Sequence, residues 1–218
     1  MMDHRTVSLA DQVFDRLEGD ILSGKYSRGE VLTETGLGAD LGVSRTPIRE
    51  ALHRLEQEHI IEVSGKGIEV LGISAEDLED IYAIRLAIEG HSAAACAKRI
   101  TEGELETLKE ALDLQEFYAQ KQDADRIKYQ DSRFHELVYR FSGSLIYYDT
   151  LLPLHKKAQK YRKVSVENVS RAASSVAEHR EIYEAIAEKN AEKAEEAMTR
   201  HVKNAMNHIL QGRKEKWD

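Results

Sequence analysis

"GVSRTPIREALHRLEQEHII", residues 42–61, decides the fold. Gly42 breaks the preceding chain, Ser44 stands where a helix N-cap belongs, and helical periodicity runs from there to about Glu58. At 100° per residue, Ile48, Ala51, Leu52 and Leu55 share one face, while Arg45, Thr46, Arg49 and His53 share an adjacent one. The first face packs and the second is offered outward. Arginine suits such a surface because its planar fork binds guanine edges or phosphate oxygens, and the amides of a capped first turn favour an anion at the same place. An isolated arginine pair reads better as a solvated helix face, so the flanking sequence decides.

On the N-terminal side, "SLADQVFDRLEGDILS" (8–23) sets Leu9, Val13, Leu17, Ile21 and Leu22 at helical spacing, and "GKYSRGE" supplies a turn. "TETGLGADLG" predicts a short second helix of poor propensity, because Gly36 and Gly38 each cost about 1 kcal/mol relative to alanine. On the C-terminal side, two short β-branched runs in "IIEVSGKGIEVLGI" flank Ser64-Gly65-Lys66-Gly67, the pattern of a hairpin with Lys66 at its tip, within reach of a phosphate. Helix, turn, second helix with a cationic N-terminal half, then hairpin, is the order of a winged helix-turn-helix that enters a major groove. The stretches "GKYSRGEVLTE", "LGVSRTPIREAL" and "IEVSGKGIEV" resemble the GntR family of bacterial transcriptional regulators. The resemblance implies that Arg45, Thr46, Arg49 and the hairpin pair Gly65-Lys66 contact DNA. The family often has alanine where Gly38 stands and glycine where His59 stands.

The whole-chain charge of -8 does not favour a nucleic-acid partner, and both halves are acidic: 8 Lys+Arg against 13 Asp+Glu up to residue 72, and 23 against 26 beyond it. What attracts phosphate is a local basic face, so the DNA reading rests on geometry. With 41% hydrophobic and 32% charged residues in 218, the composition is that of an ordinary globular chain rather than a disordered one. No apolar run approaches a membrane span and no leader pattern opens the chain, so the expected location is cytoplasmic, with no membrane partner. The single cysteine, Cys96, lies in "HSAAACAKRI" and reads as a small buried hydrophobe.

Beyond residue 72 the pattern is helical throughout. Capping-box signals at Ser74/Asp77 and Thr101/Glu104 start helices near 75 and 102, and four more are expected around 124–142, 145–163, 171–188 and 191–211. Their globular periodicity predicts an all-α antiparallel bundle. The expected architecture is therefore mainly α: a winged helix-turn-helix domain over 1–72 and a helical domain over 73–218.

Ionisable residues interrupt the apolar stripes of this bundle. Asp131 falls inside the stripe Ile127, Phe134, Val138, Phe141, with His135 at its edge; His179 sits amid Val176, Ile182, Tyr183 and Ile186; His201 is surrounded by Ala194, Ala197, Met198, Val202 and Ala205. Each alone reads as a hydrogen-bonded core residue, but together they can meet around one divalent ion, Zn²⁺ with Ni²⁺ or Mn²⁺ as alternatives. His91, His155 and His208 lack this placement and are left out. Arg85 and Glu89, on the inner face of the helix near 75, either pair with one another or present Arg85 as a fork for a ligand carboxylate, oriented by Glu89. The stretches "IYAIRLAIEGHSAAACA", "DSRFHELV", "AEHREIYEAI" and "MTRHVKNAM" resemble the FCD domain, the effector domain of the FadR branch of GntR regulators. The resemblance implies a metal on Asp131, His135, His179 and His201, with a small organic acid beside it helped by Arg85.

The expected protein is a homodimer that sets two third helices in successive major grooves of a near-palindromic operator, with a small carboxylic acid as effector. Two other classes share the same residues: a sensor whose effector is the ion itself, and a helical metalloenzyme. No HExxH pattern or nucleophile system supports the enzyme, since "HELVY" stops short of that motif.

Overall fold

A computed structural model of the protein describes residues 8–165 and 169–217. Its contacts divide the chain into two compact units, residues 1–75 and 76–218.

In the first unit, α1 (Leu9–Leu22) begins at a reciprocal capping box between Ser8 and Asp11, which satisfies amides that a helix start leaves open. A two-residue strand, β1 (Val31–Leu32), precedes α2 (Glu34–Leu41), whose N-cap Thr33 accepts from the Gly36 amide and whose C-cap Gly42 is left-handed at φ 66°. α3 (Arg45–Gln57) follows with Ser44 at the N-cap position; the backbone there is extended as a cap requires, but the serine side chain makes no capping hydrogen bond. The hairpin is β2 (Ile61–Ser64) and β3 (Gly67–Val70), antiparallel with Ser64 opposite Gly67 and Gly65-Lys66 as the two-residue loop. β1 adds to its other edge, giving the order β1-β3-β2. That third strand is absent from the sequence reading, because two residues are too few to display a period. It also explains Gly67: φ is 128°, and a Cβ there would fall 2.7 Å from Val31 Cγ1 and 3.0 Å from the Leu32 carbonyl. One core closes the unit, with Val13, Phe14, Leu17 and Ile21 of α1 against Ile48, Ala51, Leu52 and Leu55 of α3 and Ile61, Ile68 and Val70 of the sheet. Arg54 spans α1 and α3, stacking 4.0 Å over Phe14 and donating to Asp11 at 2.6 Å.

His59, just past α3, has φ 57°. That left-handed backbone favours glycine, and it is the position where the family pattern often has one.

The second unit is helical: α4 (Ala75–Arg99), α5 (Glu102–Gln120), α6 (Ala124–Phe141), α7 (Leu145–Ser165), α8 (Val169–Ala187) and α9 (Ala191–Trp217). Thr101 and Glu104 form the capping box that their spacing predicts. The Ser/Asn-rich joint expected between α7 and α8 falls partly on 166–168, outside the described residues. α5 packs on α6 and α8, α6 on α7, and α8 on α9. Leu78, Tyr82, Leu108, Leu112, Phe134, Val138, Ile182, Ile186, Met198 and Val202 fill the centre. Cys96 lies in this core fully buried, and burial pushes its thiol up to about 12, which suits a hydrophobe and not a nucleophile.

Candidate metal centre and DNA-reading face

The bundle core places four ionisable residues where apolar ones would ordinarily sit. Asp131, His135, His179 and His201 are 5%, 1%, 0% and 3% exposed. α6 supplies the first two, four residues apart on one face; α8 and α9 supply the others. The three imidazoles meet through Nε2: His135 to His201 at 3.1 Å, His135 to His179 at 3.2 Å and His179 to His201 at 3.3 Å. Asp131 stands beside this triangle, with Oδ1 3.8 Å from His179 Nε2. Ser175 and Gln159 also donate to its carboxylate.

The outer nitrogen of each ring is engaged by an oxygen acceptor. His135 Nδ1 lies 2.7 Å from Glu89 Oε1, His179 Nδ1 2.8 Å from Gln115 Oε1, and His201 Nδ1 2.7 Å from Glu178 Oε2. Neutral rings with those partners carry the proton on Nδ1 and turn the Nε2 lone pair inward. Burial, reinforced by the neighbouring His201, holds His179 well below the ordinary imidazole range. Burial also lowers His201, against the opposing effect of its hydrogen bond to Glu178. Three acceptors facing one another have no proton to share, which is a costly arrangement inside a protein unless a cation sits among them. The spacing fits one: three nitrogens on a tetrahedral ion with bonds of about 2.0–2.1 Å lie roughly 3.3–3.4 Å apart. Carboxylate and amide oxygens behind metal-binding imidazoles are the usual means of fixing their tautomer and direction. The donor set therefore fits a divalent ion.

Arg85 and Glu89 pair one helical turn apart, with Nε 2.8 Å from Oε2 and Nη2 3.3 Å from Oε1, both side chains buried. Burial disfavours either charge, yet each overcomes it for the other. Arg85 and then His135 hold the Glu89 carboxyl well below the usual carboxylate range, and Glu89 raises the Arg85 guanidinium. Tyr139 donates to Glu89 Oε1 at 2.5 Å. One residue that the sequence reading left out belongs in this cluster. His155, on α7, is 1% exposed; its Nδ1 lies 3.2 Å from Arg85 Nη2 and its Nε2 3.8 Å from Asp131 Oδ2. The signal was present, since Leu151, His155 and Ala158 repeat at helical spacing and all are buried. Leu152 and Leu154, on either side, blur that stripe. Gln115, Glu178, Tyr139 and Gln159 were likewise missed: the first two act on the outer nitrogens, which no spacing rule reveals.

In the first unit, α3 buries Pro47, Ile48, Ala51, Leu52 and Leu55 and leaves Ser44, Arg45, Thr46, Arg49 and His53 exposed. Arg49 Nε donates to both oxygens of Glu34 at 3.0 and 2.9 Å, while 64% of its side chain stays accessible. His53 Nε2 lies 3.2 Å from Gln57 Nε2. Gly65 and Lys66 are exposed at the hairpin tip, where the Lys66 amide donates to Ser64 Oγ.

A three-stranded winged helix with exposed arginines on α3, followed by a helical bundle with a polar cluster in its core, defines a DNA-binding regulator. The chain belongs to the bacterial regulatory proteins of the gntR family, whose family model matches residues 9–70, and carries an FCD domain, whose model matches residues 80–204. It is thus a transcriptional regulator and not an enzyme. Over 201 residues it is 29% identical to the HTH-type transcriptional regulator YdhC of Bacillus subtilis strain 168, covering 91% of this chain and 89% of that one. The HTH-type transcriptional repressor RspR of Escherichia coli K12 is 27% identical over 214 residues, 98% of this chain and 94% of RspR. Among solved structures, E. coli McbR/YncC aligns with a TM-score of 0.74 over 94% of this chain and 99% of that one; at 22% identity it speaks for the fold alone.

Proposed function

We propose that this regulator reads a near-palindromic operator as a homodimer and is controlled by a small carboxylic acid bound beside a divalent ion in the bundle, with Zn²⁺ as the best fit. On this reading residues 1–72 form the DNA-binding domain and 73–218 the effector-binding and dimerisation domain. Arg45, Thr46, Arg49 and His53 face the major groove, Ser44 and the first-turn amides meet a phosphate, and Gly65-Lys66 reach the flanking backbone or minor groove. His135, His179, His201 and Asp131 would hold the ion, which supplies a positive charge that an anionic effector can share. The observation that carries the metal reading is the convergence of three Nε2 atoms within 3.3 Å, each ring fixed from behind by an acceptor.

Arg85 contributes a cation near the same place. Its Nε and Nη2 are engaged by Glu89 and His155. The Tyr82 ring lies 5.1 Å from the guanidinium carbon, and its buried hydroxyl makes no hydrogen bond among the described residues. A buried hydroxyl without a partner, on a ring packed near a cation, can donate to a carboxylate. The ion-as-effector alternative uses the same ligands, with Arg85 only the counter-charge of Glu89, and leaves the Tyr82 hydroxyl without a role.

Selection of duplexes from a random pool by the Zn²⁺-loaded protein tests the reading. Recovery of an inverted repeat, released or tightened by one member of a panel of small carboxylic acids, is the expected result. A pool that stays random would contradict the operator reading, and an operator complex that responds to Zn²⁺ alone would favour the ion as effector.

A further inference from the structure

The buried cluster around Arg85 contains a second group of potential ligands, Glu89, His135 and His155, close enough to one another for a metal. The geometry argues against an ion there, because the cation at that spot is already the Arg85 guanidinium, 2.8 Å from Glu89 and 3.2 Å from His155 Nδ1. That contact has a consequence for His155. A guanidinium offers only donors, so the ring nitrogen facing it must accept. With Nδ1 accepting from Arg85, the proton of the neutral ring lies on Nε2. Nε2 faces Asp131 Oδ2 at 3.8 Å, longer than a hydrogen bond, with Gln159 Nε2, itself a donor to Asp131, 3.5 Å away. The tautomer is thus opposite to that of the three converging imidazoles, whose protons lie on the outer Nδ1. In this tautomer His155 turns an N–H toward the site's carboxylate and is not a fourth nitrogen ligand.

We propose that His155 is a positioning residue for the metal site: held at Nδ1 by Arg85, it directs Nε2–H at the Asp131 carboxylate and, with Gln159 and Ser175, fixes that carboxylate beside the imidazole triangle. The inference rests on the metal reading above and adds to it a role for a histidine outside the Asp/His₃ set. It also joins the arginine proposed to meet the effector to a metal ligand through one side chain.

Three variants separate this role from packing, with Zn²⁺ affinity measured by competition against a chromogenic chelator and thermal unfolding of the metal-free protein recorded alongside. His155→Leu removes both polar contacts and is expected to weaken Zn²⁺ about 10–100-fold, the usual effect of losing a group that orients a ligand. His155→Gln places an amide N–H near the lost Nε2–H and should restore most of the affinity. His155→Asn, whose shorter amide replaces Nδ1 only, should stay as weak as the leucine variant. Wild-type affinity in all three, or equal affinities for the glutamine and asparagine variants, would overturn the role; that comparison stands even if the leucine variant fails to fold. Failure of the wild-type protein to take up Zn²⁺ would overturn the metal reading, and this inference with it.

Discussion

At the scale of single residues, the bundle's function and its fragility share a cause. Glu89 is fully buried, bonded to Arg85, Tyr139 and His135, and its charge is tolerated only because those partners surround it. Arg85→Ala would leave that carboxylate without its main counter-charge, so we expect a loss of about 3–5 kcal/mol in denaturant unfolding, the range for breaking a buried pair. A change under 1 kcal/mol would mean that water or another group compensates. The histidines give a second prediction, for the metal-free protein. His155, His179 and His201 are all lowered from the ordinary value of 6.5 by burial, so the unfolded chain binds protons there before the folded one does. Stability from these groups is complete above 6.5 and declines as pH falls, approaching roughly 4 kcal/mol per pH unit if all three stay neutral in the fold. Glu89, lowered from 4.5, adds loss of the same sign at more acid pH. Unfolding at pH 7.5, 6.5, 5.5 and 4.5 checks this, and a flat profile would show that the rings are not held neutral. Asp131, His135, His179 and His201 were legible in the sequence because a polar residue inside an apolar stripe breaks the period. Glu178 and Gln115 were not, because a residue that bonds a ligand's far side can lie at a stripe's edge and break nothing.

At the scale of elements, α3 shows how much of a recognition helix periodicity discloses. The face expected to pack is buried and the face expected outward is exposed, residue for residue. What the sequence could not show is the tether on Arg49. Glu34, in the first turn of α2, holds it through Nε. Fifteen residues separate the partners, beyond any local rule. The pair is largely exposed, so it adds little to stability and is better viewed as orienting the guanidinium. Arg49→Ala should weaken binding to the selected operator by about 1–3 kcal/mol while changing affinity for random duplex much less, as loss of a base contact does. Equal losses on both duplexes, measured by fluorescence anisotropy at one salt concentration, would make Arg49 a phosphate anchor. The expected side-chain cap at Ser44 does not form, which leaves its hydroxyl and the first-turn amides available to an anion. The missed strand β1 illustrates the opposite limit: Val31 and Leu32 are strand only because β3 offers them an edge.

At the scale of the whole molecule, a chain of net charge -8 is proposed to read an acidic polymer through Arg45, Arg49 and Lys66, all exposed, because a local basic face and not the total charge attracts phosphate. On the proposed reading one winged helix supplies few phosphate contacts, so useful affinity would require two, and their spacing would be the quantity an effector adjusts. A coupling of about 1–3 kcal/mol between bundle and operator is enough for regulation. The fold class and the family were both legible in advance, because capping boxes, glycine breaks and stripe periods are local and agree with one another. The cluster around Arg85 was legible only in part, since His155 joins it from seventy residues along the chain. Everything at this scale depends on an ion in the imidazole triangle. Calorimetric titration of Zn²⁺ into chelator-stripped wild-type protein and His179→Ala tests it most directly. The account predicts one equivalent per chain for the wild type and none for a variant of unchanged helical content. Full uptake by the variant, or none by the wild type, would contradict it.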